Sequence, residues 1–186
     1  MTSDTAAMPL QARFAANPAL TAALAVLIIA AATIAGAWFF QLVLHIVPCP
    51  MCLEQRYAYY AIIPLAALVA LGAAQGGAGG GAAPRALLLA GLVLIALAAL
   101  GNSAFGVYHS GVEWKLWPGP TDCTGPIGNL GSAGNLLQRL DTVKVIRCDE
   151  VQWRFLGLSL AGYNAIISLL MAAIAAWGAA RTAAKR

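Results

Sequence analysis

Apolar residues of this chain fall in four long runs that polar segments separate. The first run carries no acidic side chain, lysine or arginine, and it exceeds the roughly 20 residues that cross a bilayer. A shorter run contains Pro64, and its helix spans a bilayer only if it begins inside the preceding segment. The pattern predicts an all-α membrane protein, a four-helix transmembrane bundle with spans at 19–47, 57–74, 86–108 and 155–180.

The polar segments predict the orientation of these spans. Four spans place the tails 1–18 and 181–186 on one side, with the glycine-rich connector 75–85. The opposite side holds the turn 48–56 and the long loop 109–154. Lysine and arginine are almost evenly divided between the two sides, but bases far from helix ends weigh less in setting orientation. We therefore predict cytoplasmic tails and a periplasmic loop.

Within the long loop, segment 132–146 has apolar residues at helical spacing. Two interpretations remain open for it. One is an amphipathic helix that lies on the membrane surface, and the other is an ordinary solvated loop helix.

Composition supports the membrane assignment. Hydrophobic residues make up 61% of the chain, charged residues only 10%, and the mean hydropathy is +0.77. Soluble domains carry roughly 25% charged residues, so a soluble all-helical domain could not cover its surface with so few. The net charge of +4 comes from bases scattered beside the apolar runs. This pattern indicates membrane lipid rather than nucleic acid as a partner.

Four cysteines are predicted on the periplasmic side, where disulfides form and persist. Their spacing alone leaves three interpretations: two disulfides that staple the loop, a four-thiolate zinc site, or a redox-active centre. The zinc site fits poorly because only one pair has C-x-x-C spacing, and we predict no metal site. The cysteines are Cys49, Cys52, Cys123 and Cys148.

The C-x-x-C pair favours redox chemistry. A disulfide across two intervening residues closes a very short loop, so it restrains the unfolded chain little. Pro50 suits the first position of a helix and keeps Cys49 out of helical geometry. Cys52 then lies in the first helical turn, where free backbone N–H groups and the helix dipole stabilise a thiolate. The thiolate is the form that reacts in disulfide exchange.

Arg56 lies four residues after Cys52, on the same helical face. An arginine near the hydrocarbon boundary is costly unless it is paired or reaches the interface. It can stabilise a Cys52 thiolate or bind a carbonyl oxygen of an apolar redox ligand. The alternative is an arginine that only marks the helix end.

The electrons of such a dithiol need an acceptor. Iron–sulfur ligation and a nucleotide fingerprint are missing from the sequence, and His45 and His109 are weak haem candidates. A quinone dissolved in the bilayer requires only an apolar groove with a few polar groups. We expect that groove between the first and second spans, below Cys52 and Arg56.

Three segments in this order resemble the disulfide bond formation protein B (DsbB) family. They are Pro48-Cys-Pro-Met-Cys-Leu-Glu-Gln-Arg56, the stretch from Tyr108 to Cys123 (YHSGVEWKLWPGPTDC), and the stretch from Cys148 to Leu160 (CDEVQWRFLGLSL). With the four spans, the resemblance covers residues 19–180.

The resemblance implies an enzyme of the bacterial inner membrane. Such an enzyme reoxidises a DsbA-like periplasmic oxidase of thioredoxin fold and passes the electrons to ubiquinone or menaquinone. By motif match, the reduced partner would attack Cys123, and the released Cys148 would attack Cys49. Cys52 would then face the quinone beside Arg56. His109 would match a family histidine near the quinone.

Two other interpretations compete. A relative of vitamin K epoxide reductase also carries four cysteines on a helix bundle, but there the C-x-x-C follows the loop pair, whereas here it precedes the pair. A non-catalytic four-span membrane protein with structural disulfides is the alternative from another class.

Overall fold

The structure, a computed structural model, describes residues 17–75, 83–120 and 147–184. Its four helices are α1 (Pro18–Leu42), α2 (Pro50–Gln75), α3 (Arg85–Glu113) and α4 (Leu160–Ala184). All four are long and apolar enough to cross a membrane. They form an all-α bundle, which confirms the predicted fold class. Cys123, segment 132–146, most of the connector and residues 1–16 and 185–186 of the tails lie outside the described residues.

The helix ends differ from the limits of the apolar runs. Helix α2 begins at Pro50, inside the cysteine segment, and this start makes it long enough to span. Helix α1 ends at Leu42, and His45 just beyond it has a φ of 53°, which a continuing helix does not allow. Helix α3 runs on to Glu113. Hydropathy alone does not mark these ends, because α1 ends before its apolar run does, whereas α2 begins before its run and α3 continues past its run.

A short hairpin leads into α4, where the sequence indicated no strand. Its strands are β1 (Arg154–Phe155) and β2 (Leu158–Ser159), which pair antiparallel. The turn residues Leu156 and Gly157 both have positive φ, 48° and 83°, as in the tight turns that match strand twist. Two-residue strands are too short to show alternation in a sequence.

Small residues let the helices approach closely at the end of the bundle remote from the cysteines. A Cβ added to Gly178 on α4 would lie 2.3 Å from the Cβ of Ala22 on α1. In a bilayer, such close backbone approach replaces the hydrophobic effect as a source of packing energy. The buried side chains of α1 are accordingly small: Ala19, Ala22, Ala23, Val26 and Ala30.

Two polar side chains tie the helix ends together at this same end. Asn17 accepts a hydrogen bond from the Leu20 backbone nitrogen, which caps α1, and donates to the Ala73 carbonyl oxygen at 2.9 Å. Arg85 donates from Nε to the Thr182 carbonyl oxygen at 3.1 Å and from Nη2 to that of Ala183. A cation there satisfies carbonyl groups that the end of α4 leaves free.

Candidate redox centre

The C-x-x-C pair lies at the start of α2. The two sulfur atoms are 2.8 Å apart, and the Cys52 backbone nitrogen donates to the Cys49 sulfur at 3.3 Å. A disulfide bond is about 2 Å long, so a small movement closes it. Cys49 is buried and Cys52 is half-buried. The hydrogen bond to Cys52, together with burial, raises the pKa of the Cys49 thiol.

His109 on α3 faces this pair. Its Nε2 lies 3.6 Å from the Cys49 sulfur, and its Nδ1 lies 3.0 Å from Gln55 Nε2. The Gln55 amide nitrogen can donate to Nδ1 only when the ring proton is on Nε2, the nitrogen that faces Cys49. Ligand atoms of Cys49, Cys52 and His109 lie within 4.8 Å of one another. Two thiol sulfurs and an imidazole nitrogen are donor types that bind thiophilic metals.

Cys148 joins the same cluster from the loop. It is disulfide-bonded, whereas Cys49 and Cys52 are free. Cys148 is buried and packs with Cys49 and Met51. Its backbone also lies within hydrogen-bonding reach of the His109 ring. The fold therefore brings three of the predicted cysteines together, although about 100 residues of sequence separate Cys148 from the other two.

Arg56 is held by α1. Its Nη1 donates to Gln41 Oε1 at 2.7 Å, its Nη2 donates to the Ala37 carbonyl oxygen at 3.4 Å, and its Cζ lies 5.4 Å from the centroid of Trp38. These partners are uncharged, so none of them forms an ion pair with the guanidinium. The sequence predicted the position of Arg56 beside Cys52 but not these partners, because Gln41 lies on another helix.

A cavity of about 380 Å³ opens beside the cysteine pair. Cys49, Cys52, Arg56 and His109 all line it. The sequence placed this groove between the first two spans, but α3, α4 and the segment before α4 line it as well. Much of its wall is aromatic and includes Phe40, Trp153, Phe155 and Tyr163. The Phe40 and Trp153 rings meet edge to face, with centroids 4.9 Å apart. This volume lies within the roughly 300–1,000 Å³ of small-molecule sites.

Four polar side chains inside the bundle form a network that sequence reasoning missed. Tyr59 on α2 donates to Asn164 Oδ1 at 2.7 Å and lies 3.1 Å from Ser168 Oγ. Asn102 on α3 donates to the same two side chains of α4, at 3.2 and 3.0 Å. The sequence feature that could have predicted this network is the presence of polar residues within apolar runs, because polar groups inside a membrane are usually partnered or functional. We refer to Tyr59, Asn102, Asn164 and Ser168 as the polar network.

Glu113 is another cavity residue that the sequence analysis did not single out. It ends α3 one turn after His109, and its carboxylate accepts a hydrogen bond from the Ser159 hydroxyl. Ser159 Oγ in turn accepts from the Gly162 backbone nitrogen at 3.2 Å. The hairpin and helix α4 therefore hold the Glu113 carboxylate in place.

Charged residues anchor the segment around Cys148 to the end of α3. Asp149 binds Lys115 at 2.5 Å and Arg147 at 2.8 Å. Hydrogen bonds from Arg147 and then Lys115 hold the pKa of the Asp149 carboxyl below its usual range. The contact positions the backbone next to Cys148.

Comparison with known proteins agrees with this geometry. The family described as "Disulfide bond formation protein DsbB" matches residues 19–178. The chain belongs to the DsbB family. It is thus an inner-membrane dithiol–quinone oxidoreductase with four transmembrane helices, as the sequence predicted.

Individual relatives match over most of their length. A disulfide bond formation protein B of Paracidovorax citrulli is 30% identical over 155 residues, 79% of this chain and 81% of the relative. The protein of that name from Verminephrobacter eiseniae is 31% identical over 156 residues, 79% and 80% of the two chains. That from Aromatoleum aromaticum is 32% identical over 142 residues, 74% and 78%. No solved structure matches the chain.

Proposed function

We propose that this DsbB family member oxidises a DsbA-like periplasmic dithiol protein and transfers the electrons to a membrane ubiquinone or menaquinone through its four cysteines. One observation carries the proposal. Cys148 lies in one buried cluster with Cys49 and Met51, while Cys52 lines a largely apolar cavity together with Arg56. The C-x-x-C pair is therefore close both to the disulfide-bonded Cys148 and to a cavity that can hold a ligand.

The outer half of the relay is disulfide exchange. The relay starts from a disulfide between Cys123 and Cys148. A thiolate of the reduced partner attacks Cys123, a mixed disulfide forms, and Cys148 leaves as a thiolate. Cys148 then attacks Cys49 in the oxidised C-x-x-C pair and displaces Cys52. The second thiol of the partner resolves its mixed disulfide and releases Cys123, which attacks Cys148 and frees Cys49. The partner gains a disulfide, and the pair Cys49–Cys52 gains two electrons and two protons.

Cys49 suits the position of the attacked sulfur. It is the fully buried cysteine of the pair and lies in one cluster with Cys148, and His109 Nε2 lies 3.6 Å from its sulfur. Cys52 suits the leaving group, because it lies in the first turn of α2, where the helix N-terminus stabilises negative charge.

The cavity fits a quinone head group. Its walls are aromatic and aliphatic, its volume suits a substituted ring, and Arg56 supplies charged donors at its edge. Cys52, Arg56 and His109 would hold the ring, and a bound quinone would supply a two-electron, two-proton acceptor. Gln41 and Ala37 orient the guanidinium before any ligand enters, which lowers the entropic cost of binding.

Reconstitution in lipid nanodiscs tests the proposal. Reduced DsbA-like protein and a short-tailed ubiquinone are added, and quinone absorbance and partner thiols are followed together. We expect one quinone reduced for each partner disulfide formed. Absence of quinone consumption contradicts the enzyme assignment.

Reduced partner whose second cysteine is replaced by serine tests the order of attack. It can attack the disulfide between Cys123 and Cys148 but cannot resolve the mixed disulfide that forms, so the wild type should accumulate this complex. Peptide mapping should find the partner on Cys123, and Cys123→Ser should accumulate no complex. The alternative, structural disulfides without redox function, predicts no mixed disulfide with the wild type.

A further inference from the structure

Asn164, in the polar network, carries a hydrogen-bond donor that has no partner. Its Oδ1 accepts from the Tyr59 hydroxyl at 2.7 Å and from Asn102 Nδ2 at 3.2 Å. Two donors at Oδ1 define which end of the amide is oxygen. Asn164 Nδ2 is consequently left buried and, among the residues that the structure describes, without an acceptor.

This donor belongs to a residue that lines the cavity beside Cys49 and Cys52. Asn164 on α4 and Tyr59 on α2 both contribute to its wall, together with Cys52 and Arg56. Buried polar groups in proteins are nearly always hydrogen-bonded, and the bilayer interior offers no water as a substitute. An acceptor brought by a ligand in the cavity would satisfy Nδ2.

We propose that Asn164 donates this hydrogen bond to a carbonyl oxygen of the quinone and so forms, with Arg56, a two-point site for the ring. The inference rests on the proposed function, because it takes the ligand of the cavity to be a quinone. A 1,4-quinone carries carbonyl oxygens on opposite sides of its ring. Donors on two different helices, Arg56 on α2 and Asn164 on α4, suit that arrangement. Asn164 acts here as a binding residue that orients the ring.

The polar network makes Asn164→Leu a usable test. The substitution keeps the number and branching of the side-chain heavy atoms and removes the amide donor and acceptor. Tyr59 and Asn102 each keep Ser168 as a partner, at 3.1 and 3.0 Å. The variant is therefore expected to fold, and its thermal unfolding is measured beside that of the wild type.

Two control variants on α4 separate the donor from general polarity. Thr182 Oγ1 is the other buried side-chain atom without a partner in the described part of the chain, and Thr182 does not line the cavity. Thr182→Val should leave quinone affinity unchanged. Ser168→Ala weakens the polar network without touching the Asn164 amide. A purely structural role of the network predicts equal loss of affinity in Ser168→Ala and Asn164→Leu.

Equilibrium binding is the first readout. Short-tailed ubiquinone is titrated into nanodiscs, and quenching of tryptophan fluorescence is followed, since Trp153 lines the cavity. We expect Asn164→Leu to bind about three- to tenfold more weakly than the wild type, as for loss of one neutral hydrogen bond. Equal affinity, or an equal loss in Ser168→Ala, overturns the proposal.

Infrared spectroscopy of the wild type with carbonyl-labelled quinone is a second readout that needs no variant. Both carbonyl stretches should move to lower frequency relative to quinone in lipid. One unshifted stretch contradicts the role of Asn164 while leaving the proposed function intact. Absence of saturable binding to the wild type contradicts the proposed function itself.

Discussion

The two ends of this bundle use opposite packing. At the end near Gly178, alanine and glycine bring the backbones of α1 and α4 together, and little volume remains between them. At the end near Cys52, bulky aromatic and polar side chains hold the helices around a cavity of about 380 Å³. Tight packing resists deformation. Close contact at the small-residue end can therefore keep the helices in place around the cavity at the opposite end. Changes at the cavity end should alter the reaction, and changes at the small-residue end should alter stability.

Cys52→Ser gives the largest expected effect at the cavity end. Serine cannot form the inner disulfide, so quinone reduction by reduced partner should fall to the background rate. Thermal unfolding should remain close to that of the wild type, because the side chains are similar in size. Residual quinone reduction well above background would show that electrons reach the quinone by another route.

Arg56→Met removes the charged donors but keeps a long apolar side chain. We expect quinone affinity to fall about 10- to 100-fold, the range for hydrogen bonds from charged groups. Tryptophan quenching in nanodiscs measures it. Arg56→Lys should recover only part of the affinity, because an ammonium group lacks the planar fork that Gln41 and Ala37 orient. Full affinity in the methionine variant would remove Arg56 from the site.

Gly178→Ala tests the small-residue end. The added Cβ meets the Ala22 side chain at 2.3 Å, and overpacking of this kind costs about 1–3 kcal/mol of unfolding free energy. Gly101→Ala in α3 is the matched control, because nothing lies within 4 Å of its added Cβ. The first variant should unfold at lower temperature with unchanged quinone affinity. Equal stability of both variants would contradict the close contact.

Cys52→Ala should change the acidity of Cys49. The hydrogen bond to Cys52 is the main reason why the Cys49 pKa is raised, so its removal lowers that pKa towards the ordinary value. Burial remains, and the pKa stays above that value. The pH dependence of Cys49 alkylation should therefore move to lower pH than in the wild type. A shift to higher pH would contradict this pairing.

Asp149→Asn should give the smallest effect, because its ion pairs with Lys115 and Arg147 are at the surface. The folded pKa of Asp149 is lowered, so the stabilisation is present above the unfolded pKa of about 3.9 and is lost as pH falls through the folded value. We expect a slight decrease in the unfolding temperature at neutral pH that disappears in acid and in high salt. A difference that persists in acid would assign the effect to packing.

Local sequence patterns were sufficient to place part of the candidate redox centre. Cys52 and Arg56 share a helical face because four residues separate them, and Pro50 begins α2 as its residue type favours. The partners Gln41 and Asn164 could not be predicted in the same way. Gln41 reaches Arg56 from α1 and Asn164 reaches the cavity from α4, so their contacts depend on how these two helices rotate against α2.

Residues close together along the chain were enough to predict the four apolar spans, the C-x-x-C pair at the start of the second span and the family motifs. Helix packing places Cys148 in one buried cluster with Cys49, brings His109 Nε2 to the Cys49 sulfur, and surrounds the cavity with aromatic side chains. These contacts join residues 60 or more positions apart in the chain or on different helices. They form only when helix packing selects one rotation and one depth for each helix in the bundle.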